Sequence, residues 1–206
     1  KEERKIFTGC SLPVLEYLMK KNPEIYIFYS LVFLLVSFIY YPILTSKIII
    51  DNDYSLIIAP LQNIHSFKDY FLAILSNKVF DIQPIRDLSL ICALKISEWL
   101  KLPRFIIYYN FGLWLLSLTA LHGLLNKLNF NKWSRAFIIC LIAVHPVFSQ
   151  VIPWMSAHKH LLAFFLTLIS LNYYFKFLQN NFKNKNDALK SLAFYTLAIF
   201  TQPIII

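Results

Sequence analysis

Charge and glycine are both scarce in this chain. Only 15% of its 206 residues are charged and only three are glycine, whereas about a quarter of the residues in soluble domains are charged. So little charge excludes an ordinary water-soluble surface. So little glycine, without any Gly-x-x-x-Gly pattern, excludes helices that pack by close approach of their backbones. We therefore expect packing through large aliphatic and aromatic side chains.

Cysteine and metal-binding patterns are scarce as well. The three cysteines, Cys10, Cys92 and Cys140, fall in segments that we expect on different sides of a membrane or within it, so we predict no disulfide. His158 and His160 stand two residues apart, and helical residues at that spacing do not face each other. Because no Cys, Asp or Glu nearby completes a ligand set, we predict no metal site at this pair.

Apolar residues are abundant and make up 58% of the chain. A bilayer span needs roughly 20 mostly apolar residues, and five segments approach that length: 25–44, 105–125, 136–154, 160–178 and 191–206. We therefore predict an all-α fold, a polytopic transmembrane helix bundle, with Asn110 and His122 on one helical face lining its interior. Since the last segment is short and the chain begins with Lys1 instead of Met, we expect an N-terminal fragment of a longer protein.

The distribution of Lys and Arg predicts how the bundle lies in the membrane. These residues are retained in short cytoplasmic loops during insertion. Alternating spans place twelve of them on one side: Lys1, Arg4, Lys5, Lys20, Lys21, Lys127, Lys132, Arg135, Lys176, Lys183, Lys185 and Lys190. The N-terminus is therefore predicted to be cytoplasmic, and the segments 46–104 and 145–160 to face the outside. The net charge of +9 reflects this bias, so we expect no nucleic-acid partner.

The chain divides into a short N-terminal segment and one incomplete transmembrane domain. Residues 1–24 are expected to be cytoplasmic, with an amphipathic helix at 11–21 on the inner membrane surface. The transmembrane domain comprises residues 25–206, including the external loop 46–104. A loop of this length is expected to contain elements of its own.

Two amphipathic helices are predicted in the external loop, both resting on the outer membrane face. Ser66 and Asp69 have capping-box spacing before the first of them, which carries an apolar stripe. Pro84 stands at a plausible first turn of the second. Its apolar residues recur every three or four positions: Ile85, Leu88, Cys92, Ile96 and Trp99. In an alternative interpretation this second helix spans the membrane, but its five charged residues make that costly.

Two carboxylates, Asp51 and Asp53, follow the first span in the sequence "DNDY". One interpretation is an Asx-turn or cap at the end of a span. The other is an active-site acid at the boundary of water and lipid, able to act as a general base or to bind a cation. The sequence calls for no cofactor, and a divalent cation at these carboxylates is left open.

A polar island interrupts the apolar runs at 145–160. His145 with Pro146, and later Pro153, are expected to bend the chain and to free backbone carbonyl groups. Lys159 is either an anion contact at the external surface or an ordinary snorkelling lysine. Trp154 is predicted to anchor the segment at the membrane interface.

The order of these features resembles the multi-span glycosyltransferases of the GT-C fold. The likeness runs from about residue 45 to the end and is greatest to the bacterial tetratricopeptide-repeat glycosyltransferases and the transmembrane O-mannosyltransferases. The family's island reads like His-Pro-x-x-x-Glu-x-x-x-Trp-x-x-x-Arg-Lys-Asp/Glu-Leu-Leu. This chain has matching residues at six positions: His145, Pro146, Trp154, Lys159, Leu161 and Leu162.

The resemblance implies a multi-pass membrane enzyme, expected in a bacterial inner membrane. Such an enzyme transfers a sugar from a polyprenyl-phosphate donor, with inversion, to an acceptor on the extracytoplasmic side. Asp53, and next Asp51, match the place of the acid that deprotonates the acceptor hydroxyl. Lys159 and Arg86 are the cations expected to stabilise the departing phosphate. The wider predicted donor-binding set also contains His145, Gln150 and His158.

Five positions depart from the family pattern in charge. Gln150 replaces a glutamate, His158 and His160 replace an arginine and an acid, and glutamine also precedes Pro84 and Pro203 where the family has a basic residue. Glutamine forms hydrogen bonds but cannot act as a base or neutralise a phosphate. The alternative function is therefore a GT-C-like protein without catalysis, which serves as a scaffold or as a subunit of a membrane-protein complex.

Overall fold

The computed structural model describes residues 23–45, 59–62, 64, 66–75, 83–102 and 104–202, and these residues form helices and turns without any strand. The helices are α1 (Pro23–Thr45), α2 (Ala59–Gln62), α3 (Phe67–Leu75), α4 (Pro84–Leu100), α5 (Phe105–Lys127), α6 (Lys132–Ala143), α7 (Pro146–Val151), α8 (His158–Gln179) and α9 (Lys185–Thr201). The all-α prediction is confirmed for this part of the chain. The predicted amphipathic helix at 11–21 lies outside the described residues.

Two of the described helices are long and apolar enough to cross a bilayer. They are α5, with 23 residues, and α8, with 22 residues. At 1.5 Å per residue each is about 33 Å long, which matches a hydrocarbon core of about 30 Å. The apolar part of α1, Ser30–Thr45, is shorter. The predicted spans 105–125 and 160–178 thus correspond to single helices of the right length.

The predicted span 136–154 is not one helix. α6 ends at Ala143, His145 has an extended backbone with ψ of 129°, and α7 begins at Pro146. The cause is Pro146, which lacks an N–H group and disfavours helical geometry in the residue before it. The predicted bend at His145 and Pro146 is therefore a complete break. α6 has 12 residues and measures about 18 Å, too short to cross a hydrocarbon core alone.

α8 lies at the centre of the bundle, with α5 on one side and α9 on the other. Large side chains fill the space between the helices, as the low glycine content predicts. Trp114 of α5 is fully buried and stacks on Phe148 of α7, with 3.7 Å between ring centroids. Ile139 of α6 and Val36 of α1 belong to the same apolar core.

The two ends of the bundle have different polar contacts. At one end, His158 of α8 is hydrogen-bonded to Ser89 of α4, and His160 to Gln202 beyond α9. At the other end the contacts involve basic residues predicted to be cytoplasmic, since Lys127 bonds to Asn172 and Lys176 to Asp187. The segments predicted to be external and those predicted to be cytoplasmic therefore lie at opposite ends of the described bundle.

The two amphipathic helices predicted within residues 46–104 form where they are predicted. Ser66 Oγ accepts a hydrogen bond from Asp69 N at 3.1 Å and caps α3, and Pro84 is at the start of α4. Most of the predicted apolar stripe of α4 points outward, because Leu88, Cys92, Ile96 and Trp99 are exposed, although Ile85 is partly buried against the core. The opposite face of the helix is buried: Arg86, Asp87, Leu90 and Ala93. An outward apolar stripe over an inward charged pair fits a helix whose outer face is covered by lipid.

Candidate functional site

Buried polar side chains gather at the end of the bundle where α3, α4, α5 and α8 meet. One group, the Asp87 cluster, consists of Tyr70, Gln83, Arg86 and Asp87. The other group, the His158 network, consists of Ser89, Tyr109, Asn110 and His158. Buried polar groups are costly unless they are hydrogen-bonded. Both groups together therefore form the candidate site.

The Asp87 carboxylate is surrounded by donors on both of its oxygens. Oδ1 accepts from Arg86 Nε at 2.7 Å and lies 2.6 Å from Arg86 Nη2. Oδ2 accepts from the Tyr70 hydroxyl at 2.6 Å and from Gln83 N at 3.3 Å. Neither Arg86 nor Asp87 has exposed side-chain surface. Asp87 therefore joins α3 to α4 and also lies in the first turn of α4, where the helix dipole favours a negative charge.

Burial and hydrogen bonding determine which group carries the proton. Burial raises the pKa of the Tyr70 phenol, and its hydrogen bond to Asp87 raises the pKa further, so the phenol stays protonated and donates. Burial raises the pKa of Asp87 above its usual value, and the Arg86 guanidinium offsets part of that rise. The converging donors have the geometry that a carboxylate anion requires. The cluster therefore contains a paired charge in a site without water access.

The His158 network is a directed chain of hydrogen bonds. Asn110 Nδ2 donates to Ile152 O at 3.1 Å, so Asn110 Oδ1, 2.7 Å from His158 Nδ1, accepts from that nitrogen. In a neutral imidazole Nε2 then accepts from Ser89 Oγ at 2.9 Å, and Ser89 in turn accepts from the Tyr109 hydroxyl at 3.0 Å. This assignment uses each donor and acceptor once. Asn110 is fully buried, as its predicted place in the interior requires.

Replacing Asn110 by Leu is expected to lower the free energy of unfolding by about 1–3 kcal/mol. The substitution preserves volume but leaves His158 Nδ1–H and the Ile152 carbonyl without their partner, and a buried unsatisfied group costs its full desolvation energy. Thermal unfolding in detergent measures the change. Thr119→Val, at an exposed position of the same helix, is the control and should shift stability by less than about 0.5 kcal/mol. An equal, small shift in both variants would contradict the role of the network.

An apolar cavity of about 460 Å³ lies between α3 and α4, next to the Asp87 cluster. Its lining consists of Ile64, Ser66, Tyr70, Phe71, Pro84, Ile85, Leu88 and Ile91. Tyr70 belongs to both features, because its side chain lines the cavity and its hydroxyl donates to Asp87. The volume falls within the range of about 300–1,000 Å³ that is usual for small-molecule sites.

The residues predicted from the sequence have different surroundings in the structure. Arg86 is buried against Asp87, so a phosphate would have to displace that carboxylate to reach the guanidinium. His158 is buried with both ring nitrogens hydrogen-bonded. Lys159, next in sequence, is partly exposed at the start of α8. His145 and Gln150 are exposed at the start of α7 and within it, and His145 Nδ1 accepts from Val147 N at 3.3 Å.

The predicted catalytic acids Asp51 and Asp53 lie outside the described residues. Among the residues that are described, no three His, Cys, Asp or Glu side chains are grouped to hold a metal ion. Sequence reasoning missed the roles of Tyr70, Asp87 and Ser89. The sequence signal for the Asp87 cluster was the adjacent pair Arg86 and Asp87 after Pro84. Two charged residues in a largely apolar segment need either a buried partner or contact with solvent.

Searches with protein-family models, against curated proteins and against solved structures give no match to this chain. Any proposal about function therefore rests on the chemistry of the site and on the sequence resemblance.

Proposed function

We propose that this chain is part of a GT-C-type membrane glycosyltransferase that moves a sugar from a polyprenyl-phosphate donor to an acceptor on the extracytoplasmic side. The observation that carries the proposal is the apolar cavity between α3 and α4, which shares Tyr70 with a buried charged cluster. A polyprenyl-phosphate sugar is itself an apolar chain joined to a charged, polar head. A site for it needs apolar walls beside polar groups at the surface of the membrane.

The predicted orientation of the protein puts the cavity on the external side of the membrane, where the proposed reaction takes place. The basic residues Lys127 and Lys176 lie at the opposite end, and a cytoplasmic position for them leaves the cavity on the external side. The exposed apolar stripe of α4 then rests on the outer leaflet, with Leu88 at the cavity and Trp99, 81% exposed, near the end of the helix. A lipid-linked donor can reach the cavity from that leaflet without leaving the membrane.

The proposed reaction needs a base and a cation. Asp53, with Asp51 as the second candidate, takes the proton from the acceptor hydroxyl as the oxygen attacks the anomeric carbon. The bond from that carbon to the phosphate oxygen breaks, and the polyprenyl phosphate leaves with the electron pair, so the sugar is transferred with inversion. Lys159 is the candidate to stabilise the charge on the leaving phosphate, because it is partly exposed whereas the Arg86 side chain is fully buried.

A charged side chain at the cavity is expected to weaken donor binding. Leu88→Lys should raise the KM for a polyprenyl-phosphate sugar about tenfold, since burying a leucine is worth about 1.5–3 kcal/mol, with a smaller effect on kcat. The measurement is consumption of labelled donor by the full-length protein in native-like membranes. Ile96→Lys is the matched control, because Ile96 is also exposed on the apolar stripe of α4 but does not line the cavity.

The two variants separate donor binding from membrane attachment. A similar rise in KM for both would mean that the stripe only holds α4 on the lipid surface, and the cavity would lose its proposed role. Turnover by the unmodified protein must be present for the comparison. Its absence across a panel of polyprenyl-phosphate sugars would contradict the transferase proposal as a whole.

One observation favours the second candidate function, a scaffold or complex subunit without catalysis. The buried charged and titratable groups Arg86, Asp87 and His158 are all bonded to other protein groups. Groups arranged in this way stabilise a fold, but their hydrogen-bonding atoms are already used and are not available to bind a substrate. For a scaffold, purification of the full-length protein in mild detergent should yield a stable complex with another membrane protein, and donor consumption should be absent.

A further inference from the structure

A second cavity lies between α5 and α8, toward the basic end of the bundle and away from the candidate site. It has a volume of about 490 Å³. Its apolar wall includes Leu116 of α5 with Phe165 and Ile169 of α8, and the lysines at its basic end are Lys127 and Lys176. The cavity is thus apolar along its length and cationic at one end.

Lys127 has its position fixed by neutral groups. Its Nζ atom donates to Asn172 Oδ1 at 2.7 Å and to Asn172 O at 2.9 Å. Asn172 is held in turn, because its Nδ2 donates to Ala120 O at 2.7 Å. Gly123 makes room for it, since a Cβ atom at this glycine would lie 3.0 Å from Asn172 Oδ1. The ammonium group is therefore held at the cavity by carbonyl oxygens, which are neutral and do not cancel its positive charge.

One hydrogen-bond donor of Lys127 remains for a ligand. An ammonium group has three N–H donors, and two of them have acceptors among the described residues. Lys176 adds a second positive charge, which is partly offset by Asp187 at 3.2 Å. Lys190 lies over the ring of Tyr173, another lining residue, at 5.4 Å from its centroid. The three lysines and one aspartate leave an excess of positive charge around the basic end of the cavity.

We infer that this cavity binds an anionic phospholipid of the leaflet at the basic end of the bundle. The phosphate accepts from Lys127 and Lys176, and one acyl chain lies against Leu116, Phe165 and Ile169. Basic pockets between transmembrane helices on the cytoplasmic side are suited to anionic lipid head groups. The inference needs the proposed membrane orientation but not sugar transfer, so its test uses lipid binding and not activity.

The test measures how strongly the reconstituted full-length protein selects lipids. Spin-labelled phosphatidylglycerol and spin-labelled phosphatidylcholine are compared in phosphatidylcholine bilayers, and electron paramagnetic resonance gives the fraction of each probe immobilised by the protein. We expect the native protein to prefer phosphatidylglycerol several-fold. Lys127→Gln should reduce that preference about fivefold, the change expected from removing one lysine at the membrane surface.

Two further variants make the test specific to the cavity. Thr119→Phe, at an exposed lining position, should exclude the acyl chain and reduce the preference while keeping both lysines. Lys183→Gln, at an exposed lysine outside the cavity, should leave it unchanged. Equal immobilisation of the two lipids by the native protein would overturn the inference. An equal loss of preference in Lys183→Gln would also overturn it, because it would indicate general attraction to a basic surface. Full competition by inorganic phosphate would overturn it as well, because it would indicate a site for free anions.

Discussion

Arg86→Met is expected to lower the free energy of unfolding by about 3–5 kcal/mol, the range for removing one partner of a buried ion pair. The substitution keeps much of the side-chain volume and removes the guanidinium that bonds to Asp87 Oδ1. Asp87 then keeps the Tyr70 hydroxyl and the Gln83 amide as donors but loses the guanidinium charge beside it. Unfolding in mild detergent, followed by circular dichroism against temperature, measures the loss.

The double variant Arg86→Met/Asp87→Leu tests whether the loss comes from the isolated charge. Replacing both partners by apolar residues removes the desolvation cost as well as the attraction, so the double variant should be more stable than Arg86→Met alone. Lys95→Ala is the control on the same helix, because it breaks the exposed ion pair with Glu98. That change should be within about 1 kcal/mol. A double variant no more stable than the single one would contradict the isolated-charge explanation, and the hydrogen bonds of Tyr70 and Gln83 to Asp87 would then account for the stability.

Asp53→Asn is expected to reduce sugar transfer by about 10²–10⁴-fold, the contribution usual for a positioned general base. Asparagine has nearly the same shape as aspartate but cannot accept the proton of the acceptor hydroxyl. The loss should fall mainly on kcat, since donor binding is assigned to the cavity and to Lys159. Donor consumption by the full-length protein, normalised to protein level in the membrane, gives both constants.

Two comparisons identify the base. Asp51→Asn should have the smaller effect, and an opposite ranking would assign the role to Asp51. Glu98→Gln, which removes an exposed carboxylate on α4, should leave turnover unchanged. If both aspartate variants turn over donor at the rate of the native protein, "DNDY" is a turn or cap and the proposed transferase mechanism fails.

Much of the helical framework could be predicted because its signals are local in the sequence. Apolar runs of sufficient length predict α5 and α8, Ser66 predicts the start of α3, and Pro84 predicts the start of α4. The span at 136–154 was only partly predicted. A proline after an apolar run indicates a bend, but whether the helix resumes at once depends on packing across the bundle.

The candidate site could be predicted only in part, because its contacts join distant parts of the chain. Ser89 and Asn110 reach His158 from 69 and 48 residues away, and Tyr70 reaches Asp87 from another helix. The periodicity of α4 shows which residues share a face but not which face is covered by protein. The buried face of α4 carries the charged pair Arg86 and Asp87, so most of the apolar stripe lies on the exposed face.

The short helix α6 sets a depth for His145 and the start of α7 in the proposed orientation. With its first residue, Lys132, at the cytoplasmic surface, its 12 residues rise about 18 Å through a hydrocarbon core of about 30 Å. His145 and the polar residues after it then begin about 12 Å below the external surface. Water must enter a depression of that depth to solvate them. For the proposed transferase, an acceptor that reaches His145 or Gln150 would therefore have to extend a narrow segment into this depression.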